Sequence, residues 1–326
     1  MSVFLIKTYD FPGSAWDLCA LFRGEPHLFC LDSNRHSPEN GRYSFVGFDP
    51  FEIFQAKGAA TLGLLKERYS AYRGEPGTKA TPFRSGIVGY LGYDCGLYQE
   101  KILLRSEDDL KLPDAVFGFY DCVLTIDHLQ KKLYVTSSGL PEKNKALREK
   151  RAASRLEHVE RALARPFSPS VSKHFPCDFS KGLGDFSSNF TKDEYLVTVR
   201  KVLEYIAAGD IYQLNLSQRF TYDTAGENVD PLEIYRALRQ LSPVSFGGYF
   251  NAGAFKLISN SPEMFLRLRD GVVQTRPMKG TRPRGSDQRE DVRLRSEIAR
   301  SEKDKAELLM ITDLERNDLG KVCDYG

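Results

Sequence analysis

The sequence predicts an α+β fold in which short, mainly antiparallel strands are interspersed with capped helices. Three observations carry this prediction. Capping boxes open helices at Ser14-Ala15-Trp16-Asp17 and at Thr191-Lys192-Asp193-Glu194. Apolar runs of strand length lie between them, and residues 264–268 and 272–275 flank Arg269-Asp270-Gly271 as the arms of a hairpin. Glycines 86, 89 and 92 sit inside a strand-like run instead of opening a helix as G-x-G-x-x-G. They read as bulges or points of close backbone approach, and a dinucleotide fingerprint is excluded.

The elements follow in order. The first helix, from Ala15, turns Leu18 and Leu21 inward. Strands are predicted at 27–31, 42–47, 51–54 and 87–93, and a hairpin from 116–126 and 132–136. Residues 141–165 form a charged helix carrying Lys143, Lys145, Arg148, Lys150, Arg151 and Arg155, read as a solvated bridge between two lobes. Residues 166–184 are a polar linker. Three regions result: 1–140, 141–185 and 186–326. In the last, the helix after Thr191 turns Leu196, Val199, Leu203 and Ile206 inward and stops at Gly209. Residues 212–220 then alternate strictly, with Gln213, Asn215, Ser217 and Arg219 on one face. Such a strand face, hydrogen-bonding and nearly uncharged, suits a wet cavity. Asp230-Pro231 caps another helix, and a strand at 254–259 enters Ser261-Pro262-Glu263.

Composition narrows the function classes. Lys and Arg total 46 against 44 Asp and Glu, a net charge of +2, so no strong field recruits nucleic acid. No apolar run reaches the length of a membrane span. The first residues lack the form of a signal peptide, and the six cysteines, Cys177 among them, include no C-x-x-C pair. A cytoplasmic protein with reduced, mostly buried cysteines is expected.

Three groups draw attention as chemistry. Lys279, in Arg276-Pro277-Met278-Lys279-Gly280-Thr281-Arg282, follows a strand and precedes a glycine turn, and Glu263 lies sixteen positions upstream. An amine beside a carboxylate can do acid–base or covalent work. On spacing alone the plainer reading, a surface lysine with an ion-pair partner, is favoured. A two-residue Asp270-Gly271 turn would put the two groups on opposite faces of the hairpin. A three-residue Arg269-Asp270-Gly271 loop, or an equivalent bulge, would put them on one face, and the three-residue register is predicted. Glu307, one and two turns before Ile311 and Leu314, should face inward from a helix begun at Ser301. A carboxylate there needs a salt bridge or a cation such as Mg²⁺, and the residues alone leave both open.

Four ordered blocks resemble component I of the chorismate-utilising enzymes. They are the segment 209–220, Ser261-Pro262-Glu263-Met264-Phe265, the segment 275–283, and Lys303-Asp304-Lys305-Ala306-Glu307 running on to Val322. Leu31-Asp32-Ser33 and Gly41-Arg42-Tyr43-Ser44 resemble the family's N-terminal effector region. The resemblance implies a four-layer α/β/β/α sandwich of two mainly antiparallel sheets with outer helices, incomplete at the C-terminus. It implies Lys279 and Glu263 as catalytic groups, Gln213, Gly280 and Thr281 as substrate-binding, Glu307 as a Mg²⁺ ligand, and Asp32 and Ser33 as effector-binding. It also implies chorismate as substrate and a glutamine amidotransferase subunit as partner. Within the family, lysine at 279 with glutamine at 213 is similar to the aminodeoxychorismate synthases. Anthranilate synthases usually have alanine at the first position, and isochorismate synthases have lysine at the second. Asp32 replaces the glutamate common in feedback-inhibited relatives, and Ser245 replaces a proline.

Overall fold

The computed structural model describes residues 4–35, 41–72, 81–100, 102, 107–165, 186–224 and 229–324. The predicted linker and Cys177 fall outside them. The chain forms two compact units, residues 1–169 with 238–326 and residues 170–237.

In the first unit the strands of the front half are β1 (Leu5–Asp10), β2 (Phe29–Asp32), β3 (Tyr43–Gly47), β4 (Glu52–Ala56), β5 (Gly86–Leu91), β6 (Ala115–Tyr120), β7 (Cys122–Asp127) and β8 (Lys132–Ser137). Helices α1 (Ala15–Leu21), α2 (Thr61–Ala71), α3 (Asp94–Gln99) and α4 (Lys145–Leu163) lie among them. The second unit holds β9 (Phe186–Ser188), α5 (Lys192–Ala208) and β10 (Phe220–Tyr222), and α6 (Pro231–Leu241) runs across the boundary between units. The first unit resumes with β11 (Phe246–Asn251), β12 (Lys256–Ser261), β13 (Met264–Arg269), β14 (Val272–Arg276), α7 (Gln288–Arg300) and α8 (Glu302–Gly320).

Seven strands pair in the order β1-β8-β7-β3-β2-β11-β12, and three in the order β4-β6-β5, all antiparallel. Phe29, Val123 and Phe250 of the larger sheet meet Val88, Val116 and Tyr120 of the smaller in one buried cluster. The Tyr120 ring stands edge-on to Phe29 at 4.6 Å, and its hydroxyl donates to the His27 carbonyl at 2.7 Å. Strand alternation sends Cys30, Val46 and Leu124 to the other face of the larger sheet, where α1 and α4 pack. Tyr72, at the end of α2, packs on Phe119 from the outer side of the smaller sheet. Helix, sheet, sheet and helix therefore make the four layers expected. Gly89 is required by close approach: a Cβ there would sit 1.9 Å from the Val116 carbonyl oxygen.

Several expectations change. The apolar run 116–126 is two strands in two different sheets, broken at Asp121. Every residue but the half-buried Phe117 is buried on both sides of the break, so periodicity cannot reveal it. The charged helix is not solvated all round but packs on the larger sheet. α4 buries Ala152, Leu156, Val159 and Ala162 against β1, β7 and β8, while Arg151 donates to Asp121 at 2.9 Å and Arg155 to Asp49 at 2.5 Å. β11 and β12, from the back of the chain, extend the sheet begun by the front. In the second unit the Thr191 capping box and the left-handed Gly209 form as predicted, yet no α5 residue is buried, and Leu203 stays 59% exposed. Residues 212–219 form no strand and lie in no ladder; only Phe220–Tyr222 pairs, with β9. Alternation supplies a strand's faces, but a strand also needs a neighbour for its backbone groups.

Asp121 is fully buried, with Arg155 only 13% exposed beside it. Asp121→Ala should lower stability by roughly 3 kcal/mol, because it leaves the covered Arg155 Nε facing no carboxylate, Asp49 reaching only the far end of the guanidinium. A thermal melt within one degree of wild type would contradict this. A second prediction concerns pH. Burial works against ionisation of Asp127, but the Arg42 guanidinium and the N–H groups of Gln130 and Leu129 prevail and hold its carboxyl below the ordinary aspartate range. Its folded pKa is thus below the unfolded one. The stabilisation is present above about pH 4 and is lost as pH falls through the folded value. Asp127→Asn should flatten the acid limb of a melting temperature–pH curve, and an equally steep limb would contradict the assignment.

Candidate active site

The hairpin β13–β14 carries the predicted catalytic groups. Its turn is the two-residue form: Arg269 pairs with Val272, and Asp270 and Gly271 both have positive φ. The three-residue register is therefore overturned. A bulge then restores what that register was invoked to supply. The pairing shifts by one residue between Arg267–Gln274 and Met264–Arg276, so Phe265 and Leu266 together oppose Thr275. Beyond the bulge, continuing the register sets Glu263 opposite Pro277. The Thr275 hydroxyl lies 2.7 Å from the Phe265 carbonyl and 3.1 Å from the Glu315 carboxylate, tying the bulge to α8.

Glu263 is set by a local turn, its N–H donating to Ser261 Oγ at 3.3 Å. Its Oε1 accepts from the Met278 N–H at 2.7 Å, so this carboxylate holds the backbone beside Lys279. Lys279 itself reaches the other acid: Nζ is 3.6 Å from Glu307 Oε1, with the two side chains 26% and 39% exposed. Glu307 lies on the more covered stripe of α8 with Ile311 and Glu315, whereas Leu314 is exposed. The expectation of an inward-facing Glu307 with Leu314 on the same stripe is corrected to a half-covered position at the edge. Glu263 is exposed, not enclosed.

Gly280 and Thr281 continue the loop. Gly280 has φ +78°, and a Cβ there would meet the Asp304 carboxyl at 3.1–3.2 Å. Arg282 then donates to Asp304 at 2.9 Å and to Glu297 at 3.0 Å. The Ser301 hydroxyl, opposed by desolvation and aided by Arg282, holds the Asp304 carboxyl below its ordinary range. Bonding to Glu297 raises the Arg282 guanidinium further above its ordinary value. Gln213 belongs to the second unit, where its amide donates to Asn215 at 3.4 Å and its carbonyl oxygen is covered and unpartnered among the described residues. Asp32 and Ser33 line a cavity of about 400 Å³ with Asn34, His128 and Arg239. Asp32 accepts from Arg239 Nε at 2.7 Å, and Ser33 Oγ donates to the Ser245 carbonyl at 3.0 Å.

The chain matches the family described as chorismate binding enzyme over residues 27–326. The chain belongs to that family. It is 41% identical over 315 residues to anthranilate synthase component 1 of Thermus thermophilus, covering 92% of this chain and 64% of that one. It is 32% identical over 323 residues to aminodeoxychorismate synthase component 1 of Bacillus subtilis, covering 94% and 65%. The crystal structure of anthranilate synthase component I from Streptococcus pneumoniae superposes with a TM-score of 0.71 at 25% identity, over 88% of this chain and 63% of that one. The chain thus spans under two thirds of the length of these relatives.

In this member of the family, Lys279, Glu263, Gly280 and Glu307 converge on one loop and one helix face. Among the described residues no three His, Cys, Asp or Glu side chains are grouped to hold a metal. Glu307 offers one carboxylate, which suits an ion that keeps most of its water and shares substrate oxygens, as Mg²⁺ does. No described helix is long and apolar enough to cross a membrane. Sequence reasoning missed Asp304, Arg282 and Glu297, which anchor the loop. The signals were present: Asp304 stands one helical turn before Glu307, and Arg282 lies two residues past the glycine.

Gly280→Ala should cost about 1–3 kcal/mol, from left-handed strain and the crowding of Asp304. A variant melting as wild type would show that the loop relaxes freely.

Proposed function

We propose that this chain carries out the aminodeoxychorismate synthase component I reaction, aminating chorismate at C4 with ammonia delivered by a glutamine amidotransferase subunit. The observation that carries the reading is an amine, Lys279, held in a glycine-bent loop between two carboxylates. Glu263 bonds the backbone one residue before it and Glu307 pairs with its Nζ.

In this reading the Lys279 amine attacks ring C2. As that C–N bond forms, the ring double bond shifts, the C4–O bond breaks, and the hydroxyl leaves as water with a proton from Glu263. Ammonia then attacks C4, the double bond shifts back, and the C2–N bond to Lys279 breaks, returning the amine. Gly280 and Thr281 would shape the floor under the substrate, and a glutamine at 213, unlike the lysine of the isochorismate synthases, would activate no water. Glu307 would supply the protein carboxylate to Mg²⁺, which when bound offsets charge on a substrate carboxylate. Asp32 and Ser33 would form an effector site, and the cytoplasm, where chorismate and ammonia donors meet, is the proposed location.

A second reading is favoured by one specific observation: the 41% identity to an anthranilate synthase component exceeds the 32% to an aminodeoxychorismate synthase component. Lys279 argues the other way, because the aromatising reaction has no use for a covalent amine at C2. Incubation of the chain with chorismate, Mg²⁺ and ammonium, followed by separation of products, distinguishes them. Lys279→Ala should abolish 4-amino-4-deoxychorismate or divert product toward fluorescent anthranilate. Wild-type product and rate in that variant would overturn the role of Lys279.

A further inference from the structure

We infer that Asp304 and Arg282 are positioning residues for Lys279, clamping the loop 277–282 to the start of α8 so that the amine meets Glu307. The inference rests on the reading of Lys279 as the reacting amine and adds where its placement comes from.

Two anchors bracket the lysine. On its N-terminal side Glu263 accepts from the Met278 N–H at 2.7 Å. On its C-terminal side the Arg282 guanidinium reaches Asp304 at 2.9 Å and Glu297 at 3.0 Å, and it also donates to the Thr281 carbonyl at 2.9 Å. One planar fork thus ties the loop to two helices at once, which an ammonium on a flexible stem would not reproduce. The Asp304 side chain is only 15% exposed and lies against the Gly280 backbone, so charge pairing and contact act at the same point. Asp304 and Glu307 are three residues apart on α8 and project to the same side of the helix. The carboxylate that fixes the loop and the carboxylate that receives Nζ are therefore rigidly related. If Asp304 loses its charge, Arg282 still holds Glu297 on α7, but the loop is no longer pinned to the helix that carries Glu307.

Competitive trace acetylation of the whole chain, read by peptide mass spectrometry, tests this without any substrate. With Lys145 on α4 as reference, Asp304→Asn should raise Lys279 acetylation about threefold, the scale of losing one partly exposed ion pair. Arg282→Lys should do the same. The decisive comparison is the double variant. If Asp304 acts through the Lys279–Glu307 pair, adding Asp304→Asn to Glu307→Gln should change Lys279 acetylation no further. An equal increase in the Glu307→Gln background, no change at Lys279, or a parallel rise at Lys145 would overturn the inference. Failure of the chemical reading is separate: it would appear as full turnover in Lys279→Ala, whatever the acetylation pattern.

Discussion

The pairing of β11 with β2 is the contact on which the rest of the first unit depends. Gly247 to Phe250 run antiparallel to Asp32 to Phe29, joining strands more than 200 residues apart in the chain. Two consequences follow from this one ladder. It brings the segment 239–245 against Asp32, Ser33 and Asn34, where Arg239 and Ser245 satisfy their polar groups. It also fixes β12 as the edge strand, and β12 ends at Ser261, two residues before Glu263. The start of the candidate site is thereby set by sheet register. A slip of one residue would turn Phe250 out of the core cluster and exchange the faces of the whole strand.

Beyond that edge, control passes from apolar packing to charge. No residue of α8 is buried, and of β13 and β14 only Met264 is. Phe265 and Val322 are 86% and 81% exposed. The geometry of the loop is held instead by Glu263, Arg282, Asp304 and Glu297, and that of the bulge by Thr275 and Glu315. Such pairs fix direction more than they stabilise, since exposed ion pairs contribute little to folding. The front half is the opposite case: its two sheets meet through a buried cluster, and the fully buried Asp121 carboxylate pairs with Arg151 and Arg155 at the crossover.

The legible parts of the fold were those written in local chemistry. The helix starts at Ser14, Thr191, Asp230 and Ser301 were readable because a side-chain oxygen and a free N–H lie within three residues of one another. Gly209 was readable because a glycine ending a helix has one local meaning, whereas at Gly89 the fold chose close approach over a bulge. For the site, Lys279, Glu263 and Glu307 were recognisable as residue types in familiar order. Their anchors left only spacing, Asp304 one helical turn before Glu307 and Arg282 two residues past Gly280, and which charges pair is decided only when folding brings Arg282, Glu297 and Asp304 together. The hairpin is instructive in both directions. Asp270-Gly271 set the turn, but the bulge at Phe265–Leu266 left no mark in residue type, because Thr275 and α8 select it.

The sequence by itself determined the family, the α+β class, the helix ends and the identity of the amine and its acids, since each is a matter of residue type and short spacing. Only the tertiary structure decided that the run around Asp121 divides between two sheets, that α4 lies on the first sheet, and that Lys279 meets Glu307 while Glu263 holds the neighbouring backbone. The physical reason is that caps and turns depend on groups a few residues apart. Sheet order, bulge position and ion-pair choice depend on groups brought together from distant parts of the chain, whose competition is settled only when the backbone ladders close.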